Sequence, residues 1–267
     1  LTSLDLSSNT AINQLYCNNN QLTYLNMRNG ITDQLNNFNA TNNSLTCIET
    51  LDPDWATTNW TSDNGNIDAG VTFDVICGAE GQTEWYVATT GSDGGGSGTQ
   101  ESPLATIQTG INAASSGDTV SVAAGTYVEN VLLDNPESGP HKSINVIGEN
   151  KNTTIIDGNQ NGSAFRVRYN PHLLLKNFTI QNGTGFESAG GAVNLSGADG
   201  TSKTAVLENL ILKNNPAGGA VYASSSDVTI KNSSIESNTG SYGGGVFVTS
   251  CIKLTLDDVV VKNNTAG

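Results

Sequence analysis

The sequence predicts an all-β solenoid built in two successive segments, with one short helix between them. Two repeats follow one another along the chain. The first is a Leu-x-Leu pattern recurring at steps of 11, 10 and 13 residues. The second is a Leu/Ile-x-Asn-x-x-Ile/Leu pattern recurring at steps of 32, 23 and 26. Such periods mark coils that bury their apolar faces only by stacking on one another. Composition agrees: 34 asparagines and 30 glycines stand beside only 36 charged residues, which argues against a disordered polyelectrolyte and for a turn-rich fold.

The first repeat runs Leu4-x-Leu6-x-x-Asn9, Leu15-x-Cys17-x-x-Asn20, Leu25-x-Met27-x-x-Gly30 and Phe38-x-Ala40-x-x-Asn43. The paired apolar residues point into the solenoid, and Asn or Cys sits at turns whose backbone groups need a partner. These residues resemble a leucine-rich repeat of the Asn-rich, Cys-containing kind found in Bacteroidetes-type surface proteins. The stretch from Thr46 to Gly78 resembles the closing element of those arrays, which covers an otherwise open apolar end. Within it, Cys47 and Cys77 bracket Pro53, Trp55 and Trp60, a spacing that suits a disulfide closing the cap; the alternative is two buried thiols. If the bond forms, the loop-entropy model gives it roughly 3–4 kcal/mol. Cys17 and Cys251 read as small core residues.

After the cap, Glu84-Trp85-Tyr86-Val87-Ala88 reads as a strand and the five glycines of 91–98 as a loop. Ser102-Pro103 offers a helix start, with Leu104, Ile107, Ile111 and Ala114 at helical spacing behind it. Residues 118–127 then alternate as a strand does.

The second repeat is carried by Leu175-Lys176-Asn177-x-x-Ile180, Leu207-Glu208-Asn209-x-x-Leu212, Ile230-Lys231-Asn232-x-x-Ile235 and Leu256-Asp257-Asp258-x-x-Val261. Stacked in register, Leu175, Leu207, Ile230 and Leu256 form one interior ladder and Ile180, Leu212, Ile235 and Val261 a second. Asn177, Asn209 and Asn232 form an asparagine ladder at a turn, with Asp258 breaking it. A further motif recurs as Gly190-Gly191-Ala192-Val193, Gly218-Gly219-Ala220-Val221 and Gly244-Gly245-Val246-Phe247.

With its capping helix, this segment resembles a right-handed parallel β-helix of the pectate-lyase-like (pectin-lyase-like) superfamily. The Gly-Gly motif is similar to repeats of chlamydial polymorphic outer-membrane proteins, without their companion Phe-x-x-Asn. The expected organisation is therefore 1–78 as leucine-rich repeats with a C-terminal cap, 79–102 as linker and first strand, and 103–267 as a β-helix incomplete at its C-terminus. Both chain ends read as cut from a longer polypeptide.

The β-helix resemblance implies no single activity, since the fold hosts lyases, hydrolases, tailspikes and adhesins. A polygalacturonase-like hydrolase needs paired carboxylates on one face. The one Asp-Asp pair here, Asp257-Asp258, places its members on opposite faces of a strand. A Ca²⁺-dependent lyase needs a Lys or Arg base and acidic side chains for the cation. Arg166 and Arg168 are the catalytic candidates, on one outward face where they could clamp a carboxylated sugar; an ordinary basic strand face explains them too. Later charges alternate in sign down two columns, Lys176/Glu208/Lys231/Asp257 and Gln181/Lys213/Glu236/Lys262, so they are expected to pair between coils about 4.8 Å apart.

Asp157 begins an EF-hand-like run, Asp157-Gly158-Asn159-Gln160-Asn161-Gly162, but its twelfth position is Arg168 where a bidentate acid is needed. Asp93, in a loop resembling the Asp-bearing first turn of this β-helix subgroup, is the other Ca²⁺ candidate. For a binding surface the signal is aromatic: if Val193, Val221 and Val246 face inward, then Asn194, Tyr222 and Phe247 face outward in one column, with Tyr242 in the adjoining turn. Those rings could stack on sugars or could serve as a stabilising ladder.

The expected function is a non-enzymatic adhesion or glycan-binding module, extracellular or on a bacterial cell surface, monomeric, and recognising a polysaccharide, a surface glycan or a surface protein. The alternatives are a Ca²⁺-dependent lyase on uronate polymers and a purely structural stalk. A net charge of −14 disfavours nucleic acid as a partner, and no apolar run is long enough to span a bilayer.

Overall fold

The computed structural model describes residues 1–79, 81–134, 142–169, 172–186, 189–196, 204–250 and 253–267. The chain is an all-β parallel solenoid of about nine turns. Its N-terminal coils carry two faces. Ser3–Asp5, Tyr24–Met27, Cys47–Thr50 and Thr72–Asp74 pair in parallel on one face, and Gln14–Tyr16 pairs with Asn37–Asn39 on the other. Leu22, Leu25, Met27 and Ile48 are fully buried between them. Asparagine closes the turns, as the repeat suggests. The Asn43 amide donates to the carbonyls of Cys17 and Ala40 at 3.0 and 2.8 Å and accepts from the Leu22 N–H at 3.0 Å. In the third half-unit Asn29, one residue before the expected Gly30, donates to the carbonyls of Leu6 and Asn9.

Helix α1 (Pro53–Asn59) begins with Pro at its first turn, and the Asp52 side chain accepts from the Trp55 N–H at 3.0 Å. Trp60, at its end, packs on Phe38 with ring centroids 4.2 Å apart and covers this core. A disulfide joins Cys47 to Cys77, and Cys17 is a buried free thiol; Cys251 lies outside the described residues.

The Gly-rich loop of 91–98 packs against these coils. Asn26 donates to the Gly94 carbonyl at 2.9 Å, and Arg28, only 5% exposed, donates to the Gly96 carbonyl at 2.7 Å. Arg28 also pairs with buried Glu49 at 3.1 Å, and Glu49 accepts from the Cys77 N–H and the Tyr24 hydroxyl.

Helix α2 spans Ile107–Ala113 with Thr106 as its N-cap, so it does not start at Ser102-Pro103. Leu104 instead bridges to Val87 in parallel, and its N–H and C=O bond the backbone of Tyr86 and Ala88. The residues after Pro103 thus extend a strand pairing before the helix begins. Both helix ends are neutralised by charges from later residues, as the helix dipole favours. The Glu129 carboxylate accepts from the Ile107 and Gln108 N–H groups, and the Lys142 ammonium donates to the carbonyls of Ile111 and Ala114. Burial pushes the Glu129 pKa up and the Lys142 pKa down.

The remaining coils have three faces. The first face stacks Val131–Asp134, Phe165–Arg168, Val193–Ser196, Val221–Ser224 and Val246–Thr249. The second and third run from Glu84–Val87 and Gly125–Val128 respectively and merge where Asp227–Glu236 and Leu254–Lys262 each continue around the corner between them. Both expected ladders form in the expected register, and Leu175, Leu207, Ile230, Ile180, Leu212 and Ile235 are fully buried; in the last coil Leu256 and Val261 are 49% and 52% exposed, so the ladders are not interior there. The Gly-Gly motif is offset by one in its last copy. Val221 pairs with Val246, so Gly243-Gly244-Gly245-Val246 is the equivalent stretch, and the register there is set by the strand.

At the corner between the second and third faces Asn177, Asn209, Asn232 and Asp258 all hold φ between 50 and 66°. Asn209 donates to the Asn177 side-chain carbonyl at 2.8 Å, and Asn177 to the Gly148 carbonyl at 3.0 Å. Exposed Asn232 keeps the conformation without a side-chain hydrogen bond, so the ladder stops one coil before Asp258.

A second, buried asparagine ladder follows the third face. Asn215 is fully buried; its N–H and amide donate to the Asn238 side-chain oxygen at 3.1 and 2.7 Å, and its own oxygen accepts from Gly183. Asn238 repeats this on Asn264 at 3.0 and 2.9 Å and donates to the Leu212 carbonyl. Truncating Asn238 strands several buried groups at once, so Asn238→Ala is expected to cost about 3 kcal/mol. Asn232→Ala, at an exposed left-handed corner, is expected to cost about 1 kcal/mol. Urea unfolding midpoints of the two variants check the order, and equal losses would refute the role assigned to the buried ladder.

Candidate functional site

Strand alternation on the first face places Val131, Phe165, Val193 and Val221 inside and stacks Leu132, Arg166, Asn194, Tyr222 and Phe247 outside, each in register with the next. The aromatic end of this column is continuous. Tyr222 and Phe247 lie 5.7 Å apart between centroids at 29°, and Tyr242, from the turn before, lies 5.3 Å from Phe247 at 15°. Tyr242 is 68% exposed, so the outermost ring of the stack presents itself to solvent.

The other end of the column is cationic. The Arg166 guanidinium carbon lies 3.3 Å over the ring of Phe186, a 40%-exposed residue from the turn ahead of the next strand. Phe186 sits in a Gly-flanked turn outside both repeats, which is why periodicity did not single it out. Asn194, between the two ends, is 2% exposed; its amide donates to the Ala189 carbonyl at 2.9 Å and its side-chain oxygen has no hydrogen-bond partner among the described residues. Arg168 occupies the neighbouring outward column, where it pairs with Asp134 of the preceding coil at 3.0 Å and lies over the Tyr169 ring. The two arginines therefore share a face, and each is already engaged by its surroundings.

Both acidic candidates are engaged with the chain as well. The Asp93 carboxylate accepts from the N–H groups of Ala105 and Thr106 and from the Thr106 hydroxyl, at 2.8, 3.0 and 2.8 Å. It thereby fixes the segment leading into α2. Asp157 accepts from Asn159 N–H, Gln181 and Asn182. Partial burial raises its pKa, and these three hydrogen bonds outweigh that and leave it below the ordinary value. Among the described residues no three His, Cys, Asp or Glu side chains come together as a metal centre would require. No helix among them is long and apolar enough to cross a membrane.

The charge columns stack as the sequence suggests. Lys176, Glu208, Lys231 and Asp257 share one register, as do Gln181, Lys213, Glu236 and Lys262. Glu208 bridges Lys176 at 2.9 Å and Lys231 at 3.1 Å, and Glu236 pairs with Lys262 at 2.8 Å.

No protein-family model, no curated protein and no solved structure matches this chain.

The Lys176 hydrogen bond above all, helped by Lys231 and opposed by partial burial, holds the Glu208 pKa below the ordinary glutamate value. The stability this carboxylate contributes is present above the ordinary glutamate range and is lost as the pH falls through the lowered folded-state value. Glu208→Gln is expected to cost about 0.5 kcal/mol at neutral pH. Its unfolding midpoint should then fall less than that of the parent on acidification, until the two converge. A parallel decline of both proteins would remove Glu208 from the pH dependence.

Proposed function

We propose that this chain is a non-enzymatic glycan-binding or adhesion module of an extracellular or bacterial surface protein, and that it holds a polysaccharide along the outer column of the first face. The three-ring stack of Tyr222, Phe247 and Tyr242 carries this reading: the 68%-exposed Tyr242 ring, backed by half-buried Phe247 and, one coil away, Tyr222, offers a flat apolar surface to the C–H face of a pyranose. Arg166 and Arg168 at the far end favour chains bearing carboxylates, and the engaged state of both arginines favours retention over chemistry. The repeat residues support assigning the N-terminal coils to the leucine-rich repeat type and the later coils to the right-handed pectate-lyase-like type. The Cys47–Cys77 bond supports an oxidising, extracellular setting.

Retention on immobilised polygalacturonate, alginate and chondroitin, with and without Ca²⁺, tests the proposal alongside ultraviolet absorbance for unsaturated uronates. Retention without product is expected, and Phe247→Ala and Tyr242→Ala should each weaken it about tenfold, the exposed Tyr242→Ala leaving the thermal midpoint nearly unchanged. A Ca²⁺-dependent rise in absorbance would convert the reading to a polysaccharide lyase. Failure to be retained on any of the three polymers, or retention unaltered in the double variant, would remove the aromatic column as the binding surface.

A further inference from the structure

The N-terminal coils carry a cleft of about 460 Å³, far from the aromatic column in sequence and built from other elements. Its floor is the outer side of the two-stranded face formed by Gln14–Tyr16 and Asn37–Asn39. One wall is α1, through Trp55 and Asn59; the other is the turn at 64–66, tied to the strand by the hydrogen bond from Asn66 to the Phe38 carbonyl at 2.9 Å. The volume lies within the range of about 300–1,000 Å³ typical of small-molecule clefts.

Its lining is unusual in two respects. First, every polar side chain in it is neutral, and most are asparagines. Asn36, Asn37 and Asn64 are exposed, and their amides make no hydrogen bond among the described residues, whereas the Asn43 and Asn66 amides donate to backbone carbonyls. Each free amide offers both a donor and an acceptor, the complement of a hydroxyl that does both. Second, aromatic surface is held rigidly beside them. Trp55 is half-buried, edge-on to Trp60 at 5.5 Å, and Tyr16, 63% exposed, also lines the cleft. Paired amides and aromatic faces with no charge select a neutral polyhydroxylated ligand over a uronate, which would need a cation to replace its lost hydration.

We infer that this cleft is a second carbohydrate site, specific for a neutral oligosaccharide, with Tyr16 and Trp55 stacking on the sugar rings and Asn36, Asn37 and Asn64 bonding its hydroxyls. The inference rests on the cleft alone and stands or falls independently of the aromatic column.

Tryptophan fluorescence of the full chain reads this site directly. Of its three tryptophans, Trp55 and Trp60 line the cleft and Trp85, 3% exposed, does not, so a ligand-dependent change reports on the cleft. The protein is titrated with cellohexaose, xylohexaose, mannohexaose and maltohexaose. A saturable change with at least one of them is expected. Tyr16→Ala and Asn37→Ala, both at exposed side chains, should weaken it about tenfold each, and Phe247→Ala should leave it unchanged. No saturable change with any of the four sugars overturns the inference. So does a response untouched by the Tyr16→Ala, Asn37→Ala double variant, or one abolished by Phe247→Ala, which would move the binding to the aromatic column.

Discussion

A chain that stacks coils in parallel must turn several times per coil, and each turn strands peptide groups that the flanking strands cannot reach. The rest of this molecule depends on how those corners are satisfied. Of fifteen non-glycine residues with positive φ among the described residues, nine are asparagine. Asparagine enters the left-handed region at lower cost than other side chains, and its amide then reaches backbone groups locally or on the next coil. The corners divide this labour. At the second-to-third-face corner a single residue does both tasks, as Asn177 and Asn209 do. After the third face the tasks fall to neighbours: Asn214, Ser237 and Asn263 take the positive φ, and Asn215, Asn238 and Asn264 bond from coil to coil.

Pinned corners fix the register, and fixed register turns outward side chains into columns. A column at coil spacing is useful only if its members tolerate one another. Charges alternate down the columns, with Glu208 paired to Lys176 and Lys231 and Glu236 to Lys262, which also penalises a coil that slips by one residue. The same spacing brings aromatic residues into stacking range, and the run from Phe247 to Tyr242 is a column that extends beyond the strands into a turn. Ion pairs at this degree of exposure contribute little each, so the columns serve specificity of register more than stability.

This division explains what the sequence disclosed. The ladders through Leu175 and Ile180 and the charge columns were legible because strand alternation has a period of two, and one aligned residue places all the others. The disulfide between Cys47 and Cys77 was legible from its place in an irregular stretch, with two free thiols the open alternative. The start of α2 was not: Ser102-Pro103 has the local chemistry of a helix start, but Leu104 finds a strand partner in Val87, and tertiary pairing outranks local preference. The buried ladder of Asn215, Asn238 and Asn264 left a trace in the pairs Asn214-Asn215, Ser237-Asn238 and Asn263-Asn264, each a fixed distance after the second interior ladder. Phe186 and the N-terminal cleft left none, because both are made where a turn folds back on a strand of a different coil.

The contact between the two sets of coils shows the same economy. Glu49 accepts from Tyr24, Arg28 and the Cys77 N–H, and Arg28 carries the network on to the Gly96 carbonyl, while Asn112 of α2 donates to the Leu51 carbonyl at 2.9 Å. A buried ion pair gains little over apolar packing, but losing either partner leaves an uncompensated charge, so such a pair enforces one arrangement more than it adds stability. Gly94 allows the loop to come this close to the N-terminal coils, and Gly96 allows it to fold tightly on Ser92 and Pro103. A β-carbon on Gly94 would meet Ser7 at 2.9 Å, and one on Gly96 would meet the Pro103 carbonyl at 2.4 Å. The glycines mark 91–98 as a loop in the sequence, and in the structure that loop is a packed contact. With the joint held in one geometry, the N-terminal cleft and the aromatic column keep a fixed separation.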